Sequence, residues 1–454
     1  MDLKKFFARK NFREKRTEKN GYNGRIIARE RGGKEKNMEQ TLQEKINSAG
    51  MYETVRLKGE IRLGVSESKC FYVGKSFAKS LIEITKPNLI LDGSDAVVRL
   101  ELEEEPGTDL NVFFVSSMAK NVQMNNLNLQ IHLNFPGTVR QIVGIYNTAY
   151  GLKLNNCKIE IISENQANLT AVCNNGNLDT HMETRADNLV IENCLLSTQV
   201  IREGERRSQV VGLKNQLANS ISVQNTFVYA TNRGAGEFQQ AVGIWTNGRF
   251  GRFVGNNVKA NGSHNVGKLL ESAHAYAFVN EGLYNLISSS NLVGEWGGCC
   301  IGLENRGDFA NVRGNKILAT HTVKGRAVRN CASDCVFDGN IITSTSRNPR
   351  LIEHEGRGCI FSNNLLEGLL GRTDFFSSCG IYAPNEGTSD NLISGNVIKN
   401  VGDCGIFASR TVGRVENNVF IPFPDCEEFR DWADPSSAAL SAKLDESRIV
   451  SIEG

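Results

Sequence analysis

Glu304, Arg329 and Glu353 are 25 and 24 residues apart, so a chain that winds in coils of this length would stack them. Residues one coil apart lie roughly 5 Å from each other, which places the two carboxylates about 10 Å apart. Such a pair can act as acid and base with a water between them, as in inverting glycoside hydrolysis. Alternatively, one group removes the proton alpha to a uronate carboxylate, and Arg329 stabilises the developing charge.

The sequence around these three residues is richer in titratable groups than any other part of the repeat region. We treat Glu304, Arg329, Glu353 and His354 as catalytic candidates. The substrate-binding candidates are Lys214, Asn280, Glu281, Arg306 and Arg357. A structural interpretation competes with this one, because Glu, Arg and Glu on neighbouring strands also form an ion-pair ladder that keeps a solvent-facing sheet soluble. His354 taken alone fits a hydrogen-bonded interior or bend residue better than a base.

A repeated phrase indicates what positions these residues. Between residues 121 and 420 the chain repeats an apolar pair, a spacer, an Asn and a second apolar pair. The repeated asparagines are Asn126, Asn156, Asn193, Asn225, Asn257, Asn291, Asn315, Asn340, Asn364, Asn396 and Asn418. Steps of 22 to 37 residues between them are typical of a stacked repeat. The phrases are short, alternate apolar with polar residues and favour Val, Ile and Leu, so they predict strands.

An Asn at each bend has a physical reason, because Asn tolerates the left-handed conformation and its amide can bond to the next Asn in a ladder. With such a ladder the chain resembles the right-handed parallel β-helix of the pectin-lyase-like superfamily, over roughly residues 40 to 424. The resemblance implies an all-β solenoid of about 11 to 12 coils, with a short N-terminal capping helix and a partly helical C-terminal segment. It leaves the activity open, because lyases, hydrolases, epimerases, fructotransferases and phage tailspikes share this fold.

Counting back from each Asn predicts three columns. The position eleven residues earlier gives an outward column of Lys214, Thr246, Asn280, Glu304, Arg329, Glu353 and Phe407. The position twelve residues earlier gives an inward apolar column that includes Trp245 and Val279. The position ten residues earlier gives a second inward amide ladder of Asn215, Asn247, Asn305 and Asn330, which His354 continues.

The chain divides into three parts. Residues 1–37 hold 13 Lys and Arg against 5 Asp and Glu, which predicts a basic, disordered tail, with Met38 as an alternative start. Residues 38–424 form the β-helix domain, with a helix over 39–48 as its cap. Residues 425–454 form a C-terminal cap or tail. Insertions at 133–140, 164–187, 199–209, 231–239 and 261–275 are expected to gather on one side and build a binding face.

The twelve cysteines recur in register with the repeat, so we interpret them as stacked small thiols rather than disulfides. Of these, Cys331, Cys359, Cys379 and Cys404 are expected to open strands. Cys331 and Cys335 lack a second metal half-site, and no group of aspartates suits calcium, so we assign no metal and no cofactor. No apolar stretch is long enough to span a membrane and no secretory signal is visible, so the location is cytoplasmic by default.

Two functions from different classes remain open. The first is a carbohydrate-active enzyme of lyase, hydrolase or epimerase type that lays an extended polysaccharide along the parallel face. The second is a non-catalytic structural or adhesive solenoid that binds a glycan or another subunit, with a trimer as a possible assembly. A nucleic-acid role for the basic head is the least favoured hypothesis.

Overall fold

The computed structural model describes residues 41–65, 69–73, 76–136, 140–176, 186–202, 207–234, 239–262, 274–346, 349–368, 379–385, 387–401, 404–408 and 411–421. The predicted tail at 1–37 and the predicted cap at 425–454 therefore lie outside the described residues. No helix in the described part has the length and apolar character needed to cross a bilayer.

Helix α1 (Leu42–Ser48) closes the N-terminal end of the fold, as the sequence predicts. Its Thr41 cap accepts the backbone N–H of Glu44, whose carboxylate accepts the N–H of Thr41 in return. Leu42 and Ile46 lie on one side of the helix and are buried. The side chain of Gln43 bonds both to the backbone oxygen of Glu83, at 2.8 Å, and to its nitrogen, at 2.7 Å. The helix thus satisfies part of a strand edge that would otherwise be open.

Thirty-five strands account for most of the described chain. In chain order they are β1 (Thr54–Leu63), β2 (Lys69–Val73), β3 (Ser76–Ile84), β4 (Ile90–Leu102), β5 (Asp109–Val115), β6 (Gln123–Asn125), β7 (Asn128–Leu133), β8 (Gln141–Asn147), β9 (Lys153–Asn155), β10 (Lys158–Ser163), β11 (Asn168–Asn175), β12 (Val190–Glu192), β13 (Leu195–Val200), β14 (Gln209–Gln216), β15 (Ser222–Gln224), β16 (Phe227–Asn232), β17 (Gln240–Thr246), β18 (Arg252–Val254), β19 (Asn257–Asn261), β20 (His274–Asn280), β21 (Leu286–Ser288), β22 (Asn291–Asn305), β23 (Asn311–Arg313), β24 (Lys316–Asn330), β25 (Val336–Asp338), β26 (Ile341–Ser344), β27 (Arg350–His354), β28 (Ile360–Ser362), β29 (Leu365–Gly368), β30 (Cys379–Ala383), β31 (Asn391–Ser394), β32 (Val397–Lys399), β33 (Cys404–Ala408), β34 (Gly413–Glu416) and β35 (Val419–Ile421).

The strands form three lateral faces, each made of parallel strands from successive coils. Face A contains β3, β5, β8, β11, β14, β17, β20, the second halves of β22 and β24, β27, β30 and β33. Face B contains the first parts of β1 and β4, then β6, β9, β12, β15, β18, β21, β23, β25, β28, β31 and β34. Face C contains the second parts of β1 and β4, β7, β10, β13, β16, β19, the first halves of β22 and β24, β26, β29, β32 and β35.

Strands on each face pair with strands one coil away rather than with their chain neighbours, and the pairing is parallel. Among the described strands, only β2 and β3 pair in the antiparallel sense. This winding confirms the predicted right-handed parallel β-helix. The Val, Leu, Ile and Phe residues of alternate positions fill a continuous interior. The protein is thus a rod in which every coil presents the same positions to solvent.

An asparagine ladder runs inside the rod just after the bend between faces B and C. Its continuous part consists of Asn315, Asn340, Asn364, Asn396 and Asn418, each donating its amide to the next at 2.9 to 3.0 Å. Towards the N-terminal end the same position holds Asn256 and Ser290, whose side chains accept backbone N–H groups from the preceding coil. The ladder therefore satisfies buried backbone groups at the bend, coil after coil.

Six of the eleven predicted ladder residues are not in this column. Asn126, Asn156, Asn193 and Asn225 come one residue earlier, at the bend itself, with φ between 49° and 56°. Asn257 and Asn291 come one residue later, as the first residues of their strands. The physical reason is that two adjacent positions both favour Asn, one for the left-handed backbone and the other for the ladder.

A second interior ladder follows the ends of the face A strands, as predicted. The bonds from Asn305 to Asn330 and from Asn330 to the ring of His354 measure 2.6 and 3.0 Å. The predicted member Asn247 is wrong, because Thr246 occupies the position and accepts from Asn215 at 3.0 Å. Asn257 lies one residue after the ladder position, so counting back ten residues from it reaches Asn247 instead of Thr246.

The one-residue offset at Asn257 and Asn291 exchanges two members of the predicted inward column with two of the predicted outward column. Trp245 and Val279 lie in the outward column, where the strand register aligns Lys214 with Trp245 and Trp245 with Val279. Thr246 and Asn280, predicted to face outward, are fully buried in the second ladder. The outward positions predicted for Lys214, Glu304, Arg329 and Glu353 are correct. For the last three, the reference asparagines are true ladder residues. For Lys214, the reference Asn225 lies one residue before the ladder position, but the segment between the two columns is also one residue longer in that coil, so the two differences cancel.

The connections also differ in part from prediction. The predicted insertions at 133–140, 199–209, 231–239 and 261–275 all fall between a face C strand and the following face A strand, on one side of the rod. The predicted insertion at 164–187 is wrong as a single loop, because it contains β11.

Nine cysteines whose side chains the structure describes are free thiols. Cys379 opens β30, in register with Cys404 at the start of β33. Cys331 follows β24 instead of opening a strand, and Cys359 immediately precedes β28. Cys335 is buried and accepts from the amide of Asn305 at 3.3 Å, whereas Cys331 is partly exposed. One thiol therefore lies in the interior and the other near the surface, so the two do not form a metal half-site.

Candidate functional site

Glu304, Arg329 and Glu353 stack on three successive strands of face A, as their spacing predicts. The register pairs Glu304 of β22 with Arg329 of β24, and Arg329 with Glu353 of β27. Each residue lies between two inward-facing neighbours of its strand, so alternation directs its side chain to the outer surface. The short connections here place the three residues on adjacent rungs without an intervening loop.

Glu304 is held by two guanidinium groups. Its Oε1 atom lies 2.6 Å from Nη2 and 3.0 Å from Nε of Arg306, and 3.4 Å from Nη1 of Arg329. Arg306 also contacts Glu281 at 3.1 Å. Although it is on the outer surface, the side chain of Glu304 is only 1 % exposed. The arginines therefore cover this carboxylate and compensate its loss of water.

Glu353 is held by a second pair of guanidinium groups. Its Oε2 atom contacts Nε of Arg326 and lies 3.7 Å from Nη1 of Arg350. These contacts lack good hydrogen-bond geometry at Oε2, which is buried without a hydrogen-bond partner. Nε of Arg329 is likewise buried without one, although its Nη2 lies 3.5 Å from Glu355. Oε2 of Glu353 is thus compensated by ionic contacts with two guanidinium groups, whereas Nε of Arg329 has no hydrogen-bond partner.

Together these residues form a charged cluster with four arginines and four glutamates. Its members are Glu281, Glu304, Arg306, Arg326, Arg329, Arg350, Glu353 and Glu355. The formal charges cancel, as in the ion-pair ladder that was the competing interpretation. Each arginine side chain nevertheless stays about a quarter exposed, so it can contact an anionic ligand from the outside.

The other predicted site residues fall in different places. Asn280 and His354 are fully buried in the second ladder, so neither faces the outer surface of face A. Arg357 is exposed at the corner after β27, and the structure shows no ion pair between it and the described residues of the cluster. Lys214 shares the outward column three rungs away, with its Nζ atom 5.7 Å from the ring of Trp245.

Several side chains beside the cluster were not predicted. Trp245 and Tyr276 pack against an apolar patch of Val211, Val242 and Val279, on the outer surface of face A. A small pocket opens between these residues and Glu304. The apolar patch is separate from the interior of the rod. The signal that could have revealed it is the correct column register, which places Trp245 outside.

His274 lies on the same outer surface, two residues before Tyr276, and their rings stack at 5.6 Å. Its Nδ1 atom is buried and has no hydrogen-bond partner. Burial lowers the pKa of His274, and the charge of Glu304 offsets this only in part. Burial, followed by the charge of Glu304, raises the pKa of Tyr276 well above its usual value. At neutral pH the cluster is therefore bordered by a neutral imidazole and a protonated phenol.

Aromatic rings border the cluster on the C-terminal side. The guanidinium carbon of Arg350 lies 3.8 Å from the ring centre of Tyr382. The ring of Tyr382 stacks on Phe407 at 5.3 Å, with an interplanar angle of 12°. The charged cluster is thus placed between Trp245 with Tyr276 on one side and Tyr382 with Phe407 on the other.

The cluster contains no group suited to a metal ion. In the described ranges, no set of three or more His, Cys, Asp and Glu side chains is arranged to hold one. Cys299 and Cys331 lie on neighbouring rungs of this surface, and burial raises the pKa of both thiols, that of Cys331 to about 12. Both are therefore neutral thiols at physiological pH.

No family model and no curated protein matches this chain. Solved structures do match this protein in the overall path of the backbone. The A-module of a mannuronan C-5 epimerase from Azotobacter vinelandii is 13% identical, with a TM-score of 0.47, over 85% of this chain and 94% of that one. A tailspike protein of bacteriophage CBA120 is 10% identical, with a TM-score of 0.43, over 85% of this chain and 60% of that one. A surface adhesin of Streptococcus pneumoniae is 10% identical, with a TM-score of 0.33, over 83% and 84%. Such identities and scores carry no information about which residues bind or react.

Proposed function

We propose that the protein binds an extended acidic polysaccharide along the outer surface of face A and modifies it beside the charged cluster. The observation that carries this proposal is the set of four part-exposed arginine side chains on adjacent rungs, bordered on both sides by aromatic rings. Guanidinium groups bind carboxylates through paired hydrogen bonds, and aromatic rings offer flat apolar surfaces to sugar rings. The regular rung spacing of about 4.8 Å suits a polymer that also repeats regularly.

The bound polymer would contact the exposed parts of the arginine side chains. The four arginine side chains of the cluster are each 24 to 29 % exposed and can donate to the carboxylates of a ligand. Part of the present Arg–Glu contacts would then be shared with the ligand. Since the arginines are already fixed by their glutamates, little side-chain conformational freedom would be lost on binding.

The reaction class that fits best is removal of the proton alpha to a uronate carboxylate. Glu304 is covered by Arg306 and Arg329 and is therefore poorly placed to exchange a proton. The imidazole of His274 is partly exposed on this surface and its pKa is lowered, so it is neutral and can act as a base. In this step the imidazole takes the proton, and the arginines stabilise the charge that develops on the carboxylate. Loss of the leaving group then gives a lyase, and return of a proton gives an epimerase.

The test is a panel of uronate-containing and neutral polysaccharides incubated with the full chain. A lyase yields an unsaturated uronate, and an epimerase changes the ratio of uronate epimers seen by NMR. We expect turnover by the wild type and its loss in His274→Gln, with His132→Gln on the surface as the matched control. Turnover that survives in His274→Gln would contradict the role of His274. Absence of turnover on every uronate polymer would contradict the enzymatic proposal.

A second candidate is a non-catalytic glycan-binding solenoid. The specific observation that favours it is the balanced pairing of Arg and Glu in the cluster, which also suits a purely structural ladder. This candidate predicts saturable binding of the polymer without any chemical change. Binding and turnover measured on the same preparation distinguish the two.

A further inference from the structure

A cleft of about 590 Å³ opens on the surface near the N-terminal end of the rod, at the bend between faces B and C. Its volume is in the range of small-molecule sites. The polar side chains that line it include Glu60, Asp95, Arg99, Asn128, Asn156 and Lys158. These residues belong to faces B and C and to the bend between them, so the cleft is separate from the charged cluster of face A.

The cleft forms where β4 departs from the regular bend. β4 continues through the bend as a single strand, and its register with β1 jumps from Arg56–Asp92 to Lys58–Asp95. Two residues of β4 therefore face one residue of β1, which is a β-bulge. Gly93 within it lies directly against the next coil, because an added Cβ would meet the Cα atom of Leu127 at 2.9 Å. Bulges of this kind redirect neighbouring side chains and recur beside binding sites.

The charges that line the cleft cancel. Glu60 and Asp95 carry two negative charges, and Arg99 and Lys158 carry two positive charges. Arg99 lies 3.6 Å from Glu60 through Nη1, whereas its Nε atom is buried without a hydrogen-bond partner. A phosphate or a polyanion would meet the two carboxylates, and a metal ion would meet the two cations. The lining thus favours an uncharged ligand.

The remaining groups are suited to hydroxyl groups. The side-chain amide of Asn156 donates to Asn126 at 2.7 Å, so its carbonyl oxygen can accept a hydrogen bond from a ligand. The carbonyl oxygen of Asn128 accepts from the side chain of Gln130 at 3.4 Å, so the NH₂ group of Asn128 can donate to a ligand. A sugar hydroxyl both donates and accepts, so it can use an amide, a carboxylate and a guanidinium at the same time. We propose that this cleft binds a short neutral oligosaccharide.

The proposal does not depend on the function proposed for face A. The two sites are expected to differ in ligand charge, because face A presents guanidinium groups to acidic sugars. A chain that binds both would hold a glycan at two places, near one end of the rod and along its side.

The experiment is saturation-transfer NMR followed by calorimetric titration of the full chain with neutral di- and trisaccharides of glucose, galactose and mannose. We expect saturable binding of at least one of them. Asn128→Ala and Arg99→Gln should each weaken it about tenfold or more, since each removes a hydrogen bond to the ligand. The matched control is Asn257→Ala, which changes the same column of face C four rungs away from the cleft.

Each result decides the proposal. Unchanged affinity in Asn257→Ala together with a tenfold loss in Asn128→Ala would support it. It would be overturned if no neutral sugar binds saturably, if the control weakens binding as much as Asn128→Ala, or if acidic sugars compete for the cleft. Thermal melting of each variant separates a lost contact from a lost fold, and Asn128→Ala keeps the test valid if Arg99→Gln unfolds.

Discussion

Glu304 and Arg329 occupy the same position on neighbouring strands of face A, and Nη1 of Arg329 lies 3.4 Å from Oε1 of Glu304. Arg306 approaches the same oxygen more closely, at 2.6 Å. The carboxylate therefore serves as a shared anchor that fixes two guanidinium groups on the surface. In the proposed function this anchoring prepares the arginines for the acidic groups of a polysaccharide.

Glu304→Gln tests this anchoring. Removing the charge leaves Arg306 and Arg329 without their shared anion, so we expect a loss of about 1 to 3 kcal/mol in the free energy of unfolding. Affinity for an acidic oligosaccharide should fall, because the guanidinium groups lose their fixed positions. Urea unfolding and calorimetric titration measure the two effects. Glu281→Gln, at a carboxylate that lies 3.1 Å from Arg306 and is more exposed than Glu304, is the control and should change both quantities less.

Asn256 and Asn257 are adjacent in the chain but have different roles. Asn256 is buried, accepts the N–H of Thr226 at 3.0 Å and donates to the backbone of Val223 at 2.9 Å. Asn256→Ala should therefore destabilise the protein by about 2 kcal/mol or more, because buried backbone groups lose their partners. Asn257→Ala should cost less than about 1 kcal/mol. Equal losses in urea unfolding would contradict the ladder register.

These two asparagines also show how far the sequence determines the fold. The recurrent phrase predicts the β-helix and the stacking of Glu304, Arg329 and Glu353, and the pattern of residues 39–48 predicts the capping helix. It does not resolve which of two adjacent positions enters the rod, because a bend favours Asn both for its backbone and for its side chain. Where the bend uses Gly255 or Gly314 instead, the neighbouring Asn is the ladder residue. Only the spatial register separates these cases.

The candidate site was predictable only in part for the same reason. A shift of one residue exchanges the two sides of a strand, so Trp245 was assigned inside and Asn280 outside. His274, Tyr276, Arg326 and Arg350 lack a motif of their own and become visible only when the rungs are aligned. Their charges and rings come from three different coils.

Trp245→Ala tests the aromatic border of the proposed binding surface. The indole lies outside the interior of the rod, so its loss should change the free energy of unfolding by no more than about 1.5 kcal/mol. Affinity for the polymer should fall about tenfold, because stacking area for a sugar ring is lost. Phe253→Ala, in the interior, is the contrasting variant and should cost about 3 to 5 kcal/mol. Unchanged affinity in Trp245→Ala would show that Trp245 does not contact the bound polymer.

One partly buried and one fully buried histidine predict how stability depends on pH. Burial lowers the pKa of His274 and of His354 below the ordinary value of 6.5. The unfolded chain therefore binds these protons more readily, so stability is complete above about pH 6.5 and falls as the pH drops below it. The slope is at most about 1.4 kcal/mol per pH unit for each histidine.

His354→Asn checks this prediction. The ring of His354 bonds to Asn330 at 3.0 Å and to Asn391 at 3.1 Å, so an Asn can continue the ladder without a titrating group. Urea unfolding between pH 5 and 8 should show a smaller loss of stability on acidification than in the wild type. A variant with the same pH dependence as the wild type would show that His354 does not contribute.

The most direct test of the central claim is calorimetric titration of an acidic oligosaccharide and of the same oligosaccharide with its carboxylates reduced to alcohols. The wild type and the double variant Arg326→Gln, Arg350→Gln are compared, with Lys153→Gln on face B as the charge control. We expect the wild type and the control to bind the acidic form at least about tenfold more tightly than the reduced form, and the double variant to lose this preference. Equal affinity of the wild type for both forms would contradict the claim that face A binds an acidic polysaccharide.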